Sequence, residues 1–172
     1  MAAKFATDTT AGPTQNPLWQ HALSTYASAG MESRLLKLQD EHGIDILWVL
    51  TALWLADEGI EMTADDRRQP DYEDWCAQMI RPLRAQRRAC DKVDHPSLYS
   101  VLKQAELEAE RVGLDKLYAA FRDRLDQGDA DATSSSTQST SQNGRELSGR
   151  ANLVLCSLTT EQATELLACL NG

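Results

Sequence analysis

The chain has 172 residues, of which 42% are hydrophobic, 25% charged and 6% aromatic, and it carries a formal net charge of −9. Those proportions describe one globular unit with polar appendages and exclude a collagen-like chain, a wholly disordered chain and a polytopic membrane protein. An acidic chain also repels nucleic acid at long range, which argues against a nucleic-acid partner.

Residues 1–15 are small and polar with no apolar run, and read as a disordered leader rather than a secretory signal. Order is expected to begin at Asn16, a good N-cap, followed by Pro17 at the first helical position. Trp19, Ala22, Leu23 and Tyr26 follow at helical spacing up to Gly30. A second helix is expected from about Met31 to His42, stopped by Gly43. A third runs from the cap Asp45 to Glu58, and its span Ile46–Leu55 is apolar nearly all round. A helix without a polar face is buried from several sides, so this one is predicted to be the central post of a bundle. The span is too short to cross a membrane, which needs about 20 apolar residues, and no membrane partner is expected.

Residues 60–70 read as a polar connection. A long helix is predicted from Asp71 as cap to about Lys92, kinked at Pro82 because the ring removes the bond to the carbonyl of Gln78. After Asp94-His95-Pro96 another helix is expected from Ser97 to about Val112, and after Gly113 the pattern Leu114, Leu117, Tyr118, Phe121 and Leu125 either continues it or starts a partner helix. No stretch shows the period-2 alternation of a strand. The expected fold is therefore all-α, a compact bundle of about six or seven helices with a buried central helix. Its parts are a leader over 1–15, the bundle over 16–126, a flexible Ser/Thr-rich linker over 127–149 and a C-terminal helical segment over 150–172 docked on the bundle.

Charge is unevenly distributed. Residues 67–92 hold seven of the 17 Lys and Arg and only four acids, a local net of +3 that leaves −12 for the rest. Arg81, Arg84 and Arg88 stand at i, i+3 and i+7 and share a helical face, with Arg87 beside it. On the next helix Glu106 and Glu110 stand at i and i+4, with Lys103 one turn earlier. Antiparallel packing of the two helices would make an interhelical ladder of Arg–Glu pairs. Two functional readings stand beside that structural one. The basic row is a protein-docking face, or it is a groove for an anion, phosphate or RNA.

Catalytic signatures are sparse. There is no Walker-type glycine loop, no G-x-S-x-G and no S-x-x-K. His21, His42 and His95 have no metal-ligand spacing to a carboxylate, so no metal and no cofactor are expected. Cys76, Cys90, Cys156 and Cys169 form no CxxC pair and read as thiols in a reducing cytoplasm, although Cys76 or Cys90 beside the arginines could have a lowered pKa. Trp19, Trp48, Trp54 and Trp75 all lie on apolar helical faces and read as core.

Several short stretches in fixed order resemble a proteobacterial family of conserved hypothetical proteins. They are Asn16-Pro17-Leu18-Trp19; Leu38-Gln39-Asp40 with Gly43 and Asp45; Leu53-Trp54-Leu55; Trp75; Arg81-Pro82-Leu83-Arg84 with Arg87-Arg88; Lys103 with Glu106-Leu107 and Ala109-Glu110-Arg111; and Asn152-Leu153. The likeness spans about residues 16–125 and 150–170. It implies a small cytosolic all-helical bacterial protein and no activity, so it carries no catalytic residue over. The leading expectation is a non-enzymatic module that binds an unidentified protein partner. The alternatives are an anion- or phosphate-binding protein or enzyme using Arg81, Arg84 and Arg88 with Glu106 or Glu110 as general base, and weak RNA binding. The sequence leaves the oligomeric state open.

Overall fold

A computed structural model describes residues 16–132 and 142–170, with side chains described outside 126–143. It is an all-α bundle with no strand among the described residues. The leader expected over 1–15 lies outside the described residues.

Helix α1 (Pro17–Ala27) starts as its sequence dictates: the Asn16 side chain accepts from the Trp19 N–H at 2.7 Å, and Pro17 opens the first turn. Helix α2 (Met31–His42) ends at Gly43, whose φ of 65° lets its N–H return to the carbonyls of Gln39 and Leu38. Helix α3 (Ile46–Asp57) is capped by Asp45, which accepts from the Leu47 N–H at 3.1 Å. Every residue from Ile46 to Ala56 is buried, with α1, α2, α6 and α7 packed around it. The apolar span is the central post, because a helix with no polar side can satisfy its surface only by being surrounded.

Helix α4 (Pro70–Trp75), a π-helical turn (Cys76–Ile80) and helix α5 (Arg81–Ala89) form one rod. The rod runs from Pro70 to Ala89 rather than from Asp71 to Lys92, and Cys90 turns away with ψ 123°. A π turn stands directly before Pro82. There the Arg81 N–H reaches back five residues to the Cys76 carbonyl, so the bond register shifts just ahead of the residue that has no N–H to give.

Helix α6 (Pro96–Ala132) runs 37 residues without a break. Of the two courses left open at Gly113, continuation of the helix is the one observed. A Cβ at this position would meet Leu47 at 3.1 Å, Ile80 at 3.2 Å and Tyr72 at 3.3 Å, so the glycine serves close approach of α3 and α4, not termination. Helices α7 (Gln142–Leu155) and α8 (Thr160–Leu170) follow. The span read as a linker over 127–149 is thus helical over 127–132 and 142–149, and 133–141 lie outside the described residues.

Helix α7 lies along α3 and α8 against α7 and α2, burying Leu153, Cys156, Leu158, Ala163, Leu166 and Leu167. Asn152 is fully buried at the α3–α7 contact. It accepts from the Met62 N–H at 2.7 Å and donates to the carbonyls of Ala52 (3.2 Å) and Ile60 (3.0 Å), so it supplies partners for backbone groups where α3 ends. Thr159 and Gln162 make a reciprocal cap on α8. No helix among the described residues is long and apolar enough to cross a membrane.

Candidate functional site

The seam between α5 and α6 holds a four-charge cluster. Arg84 Nε donates to Glu106 at 2.9 Å and its NH2 to Glu110 at 2.8 Å. Arg87 Nε also donates to Glu106, and a further Arg87 nitrogen reaches the same carboxylate at 3.3 Å. The glutamates are 1% and 4% exposed, whereas the arginine side chains keep 21% and 17%. Two cations and two anions balance, which is the condition for burying them.

Burial alone would weaken Arg84's hold on its proton; Glu106 and Glu110 outweigh it and raise its pKa. Hydrogen bonding to Glu106 does the same for Arg87 against its own burial. Both guanidiniums are therefore fixed as cations. Tyr26 of α1 stands beside the cluster, and burial, then Glu110, push its hydroxyl well above the ordinary phenol range. Trp75 fixes the rod's other end by donating from Nε1 to the Ala109 carbonyl at 2.8 Å.

The structure divides the basic residues picked out in the sequence. Arg84 and Arg87 share the seam with Glu106 and Glu110. Arg88 points the other way, to Asp40 of α2, with both side chains about half exposed. Arg81 is exposed and pairs with no carboxylate among the described residues. Lys103 lines an open recess of about 490 Å³ between α2, α5 and α6, together with Arg87, Arg88, Lys92, Tyr99, Ser100 and Asp40. Sequence reasoning missed Lys92, Tyr99 and Ser100. The signal for Tyr99 was present, since it precedes Lys103 by four residues and follows Pro96 by three. Tyr26 gave no signal, because it arrives from α1 through packing.

Cys76 and Cys156 are not activated thiols. Burial, its largest influence, raises the Cys76 pKa despite Arg81 and Arg84 nearby, contrary to the lowered value considered from sequence. Burial pushes Cys156 up to about 12. Among the described residues no three His, Cys, Asp or Glu side chains converge as a metal site requires.

Fold and cluster together define a small all-α bundle braced by a buried arginine–glutamate node. The chain belongs to a family described as "Protein of unknown function (DUF2390)", whose pattern matches residues 17–117, from α1 through Leu117 in α6. That span includes all four members of the node and every residue of the recess; α7 and α8 lie beyond it. No curated protein and no solved structure matches the chain.

Proposed function

We propose that the chain is a non-enzymatic protein-interaction module of the bacterial cytoplasm, whose α5–α6 hairpin docks an amphipathic helix of a partner protein. One observation carries this reading. Met79, Val93, Leu98 and Val101 are large apolar side chains left 38%, 86%, 52% and 65% exposed, and all four belong to this hairpin or its root. Helical spacing puts Met79, Leu83 and Cys90 on one side of the first rod. It puts Leu98, Val101 and Ala105 on the same side of α6. On helical spacing that side lies away from the recess; its exposed apolar members are Met79, Leu98 and Val101, while Leu83 also packs against the core.

The rest of the hairpin supports the same use. No residue of α5 is fully buried, and only Leu83 of its side chains packs against the core. The edges of the apolar face carry Gln86, Ser97 and Gln104, which are uncharged and exposed. A partner helix seated between the two rods would complete a three-helix packing of the usual kind. A second copy is a poorer occupant. The face is roughly 14 Å long and about 20 Å wide, about 300 Å² per copy, well short of a stable dimer interface. Each copy also brings a charge of −9.

A catalytic role loses its base. Glu106 and Glu110 are occupied by guanidiniums in a closed seam rather than facing a substrate. The cytoplasmic setting rests on four free thiols, Cys76, Cys90, Cys156 and Cys169.

The test is site-specific photocrosslinking in cells. A benzophenone side chain at Val101 should give one discrete adduct heavier than the chain. The same group at the exposed Glu41 of α2 should not, and Leu98→Glu should abolish the Val101 adduct with the helical CD spectrum unchanged. No adduct at Val101, or adducts with the mass of two chains only, would overturn the reading.

A further inference from the structure

The opposite face of the same hairpin is built differently. The recess between α2 and the hairpin has four cations in its wall, Arg87, Arg88, Lys92 and Lys103, against the single carboxylate of Asp40. Arg87 is committed to Glu106, and Asp40 answers Arg88. Lys92 and Lys103 have no carboxylate within ion-pair distance among the described residues; Lys92 only rests its ammonium 5.8 Å from the Tyr99 ring centre. The side chains that remain, Arg88, Lys92 and Lys103 set against Asp40, leave an unanswered charge of two. In a chain whose total is −9, such a surplus gathered in one concavity is a feature to be explained.

The geometry points to a binding site for a small organic phosphate monoester in this recess. The charge fits first. A monoester carries about −1.5 to −2 near neutral pH, matching the surplus, whereas a monocarboxylate would leave a cation unanswered. The donors fit next. Arg88 gives only one of its guanidinium nitrogens to Asp40, and it can present the others as a fork while the two ammonium groups act as point charges on the remaining oxygens. The Ser100 hydroxyl lines the same wall, and so does Tyr99, whose hydroxyl is 3.5 Å from an Arg87 nitrogen.

The organic half of the ligand has its own wall. Leu36 of α2, Pro96 and the Tyr99 ring also line the recess, so a cationic side and an apolar side face one space. A cavity of about 490 Å³ is the size of known small-molecule sites, which run from roughly 300 to 1,000 Å³. Pro96 and Tyr99 belong to the first turn of α6, so the positive end of a 37-residue helix lies at the rim. The buried node behind the recess holds the Arg87 end of this wall in place without consuming Arg88, Lys92 or Lys103.

The experiment is calorimetric titration of the full chain at low ionic strength with phenyl phosphate, inorganic phosphate and benzoate. Phenyl phosphate should bind saturably, at least tenfold more tightly than benzoate and more tightly than inorganic phosphate. Lys92→Ala and Lys92→Ala/Lys103→Ala should each weaken it, the double variant by at least tenfold, with an unchanged thermal midpoint in the absence of ligand. Three results would overturn the proposal: no saturable phenyl phosphate binding, benzoate binding equally well, or variants that bind as the parent does. Inorganic phosphate binding as tightly as phenyl phosphate would overturn the monoester assignment. Failure here leaves the docking-face reading standing, because Leu98 and Val101 lie on the other side of the hairpin.

Discussion

Replacing Glu106 by glutamine removes one charge and almost no volume, so it isolates what the arginine–glutamate node contributes. The parent cluster is neutral; the variant carries +1 at a position where the side chain is 1% exposed. Two guanidiniums lose their shared carboxylate, and only Arg84 keeps another, Glu110 at 2.8 Å. At an effective dielectric of about 20, one close pair is worth about 4 kcal/mol, and breaking a buried pair costs roughly 3–5 kcal/mol. Arg84 and Arg87 remain 21% and 17% exposed, and water recovers part of that loss, so the lower end, about 3 kcal/mol, is expected. For a chain of this size that is about 6–12 °C in thermal midpoint. Urea and thermal unfolding followed by far-UV circular dichroism measure it directly. A second variant, Arg84→Met, and the double variant close a cycle in which Glu106 and Arg84 should couple strongly. A loss under about 1 kcal/mol would mean that the cluster behaves as a solvent-screened surface pair, and the account of a buried node would fail.

Gly113→Ala tests whether α6 is pinned against α3 and α4. Helix propensity favours alanine by about 1 kcal/mol, but three buried side chains stand within 3.3 Å of the new methyl, and overpacking of this kind costs roughly 1–3 kcal/mol. The expected outcome is a net loss of about 1 kcal/mol in urea titration; a gain would show that the contact relaxes freely. Asp66 sets a pH signature. Burial opposes its ionisation, but hydrogen bonds from Thr63 and from Arg124 outweigh it, so its pKa lies below the usual 3.8. A depressed carboxyl stabilises the fold fully above the unfolded value and loses that contribution as pH falls through the folded one. Asp66→Asn should therefore be less stable than the parent at neutral pH, with the gap narrowing only below about pH 4. A gap that is constant with pH would refute the assignment.

Much of the architecture could be read from residue spacing. Asn16 and Asp45 announced helix starts, Gly43 announced a helix end, and the all-apolar run from Ile46 announced the post, because each is a local instruction; Gly30, read as the stop of α1, instead caps the start of α2, since α1 already ends at Ala27 with Ser28 as its cap. The seam pairing of Arg84 with Glu106 and Glu110 followed from i, i+4 arithmetic on adjacent helices. What spacing left open or missed depended on contacts distant in sequence. Spacing left the course past Gly113 open, and Leu47, Ile80 and Tyr72 make that glycine an approach point inside one helix. Pro82 was recognised as a disturbance of the helix, but the π turn directly before it, which shifts the bond register, was not foreseen. Arg81 and Arg88 were grouped with Arg84 by helical face, yet the seam selects Arg87, since a face spanning i to i+7 is wider than the line along which two rods touch. Asn152 was noticed only as part of a resemblance. Its role depends on carbonyls about 90 to 100 positions away, which no local pattern encodes.

Helix α5 has no fully buried side chain; Leu83 alone of its residues packs against the core, and Arg84 and Arg87 pair with α6. Detaching it would expose less apolar surface, and so carry a smaller heat-capacity change, than the collapse of the α3-centred core. The arm and the post are therefore held by different forces. Heat and cold act chiefly on the post, whereas the arm's pairs, shielded from water, are screened only weakly by salt, so amide exchange over 81–89 should vary little with ionic strength.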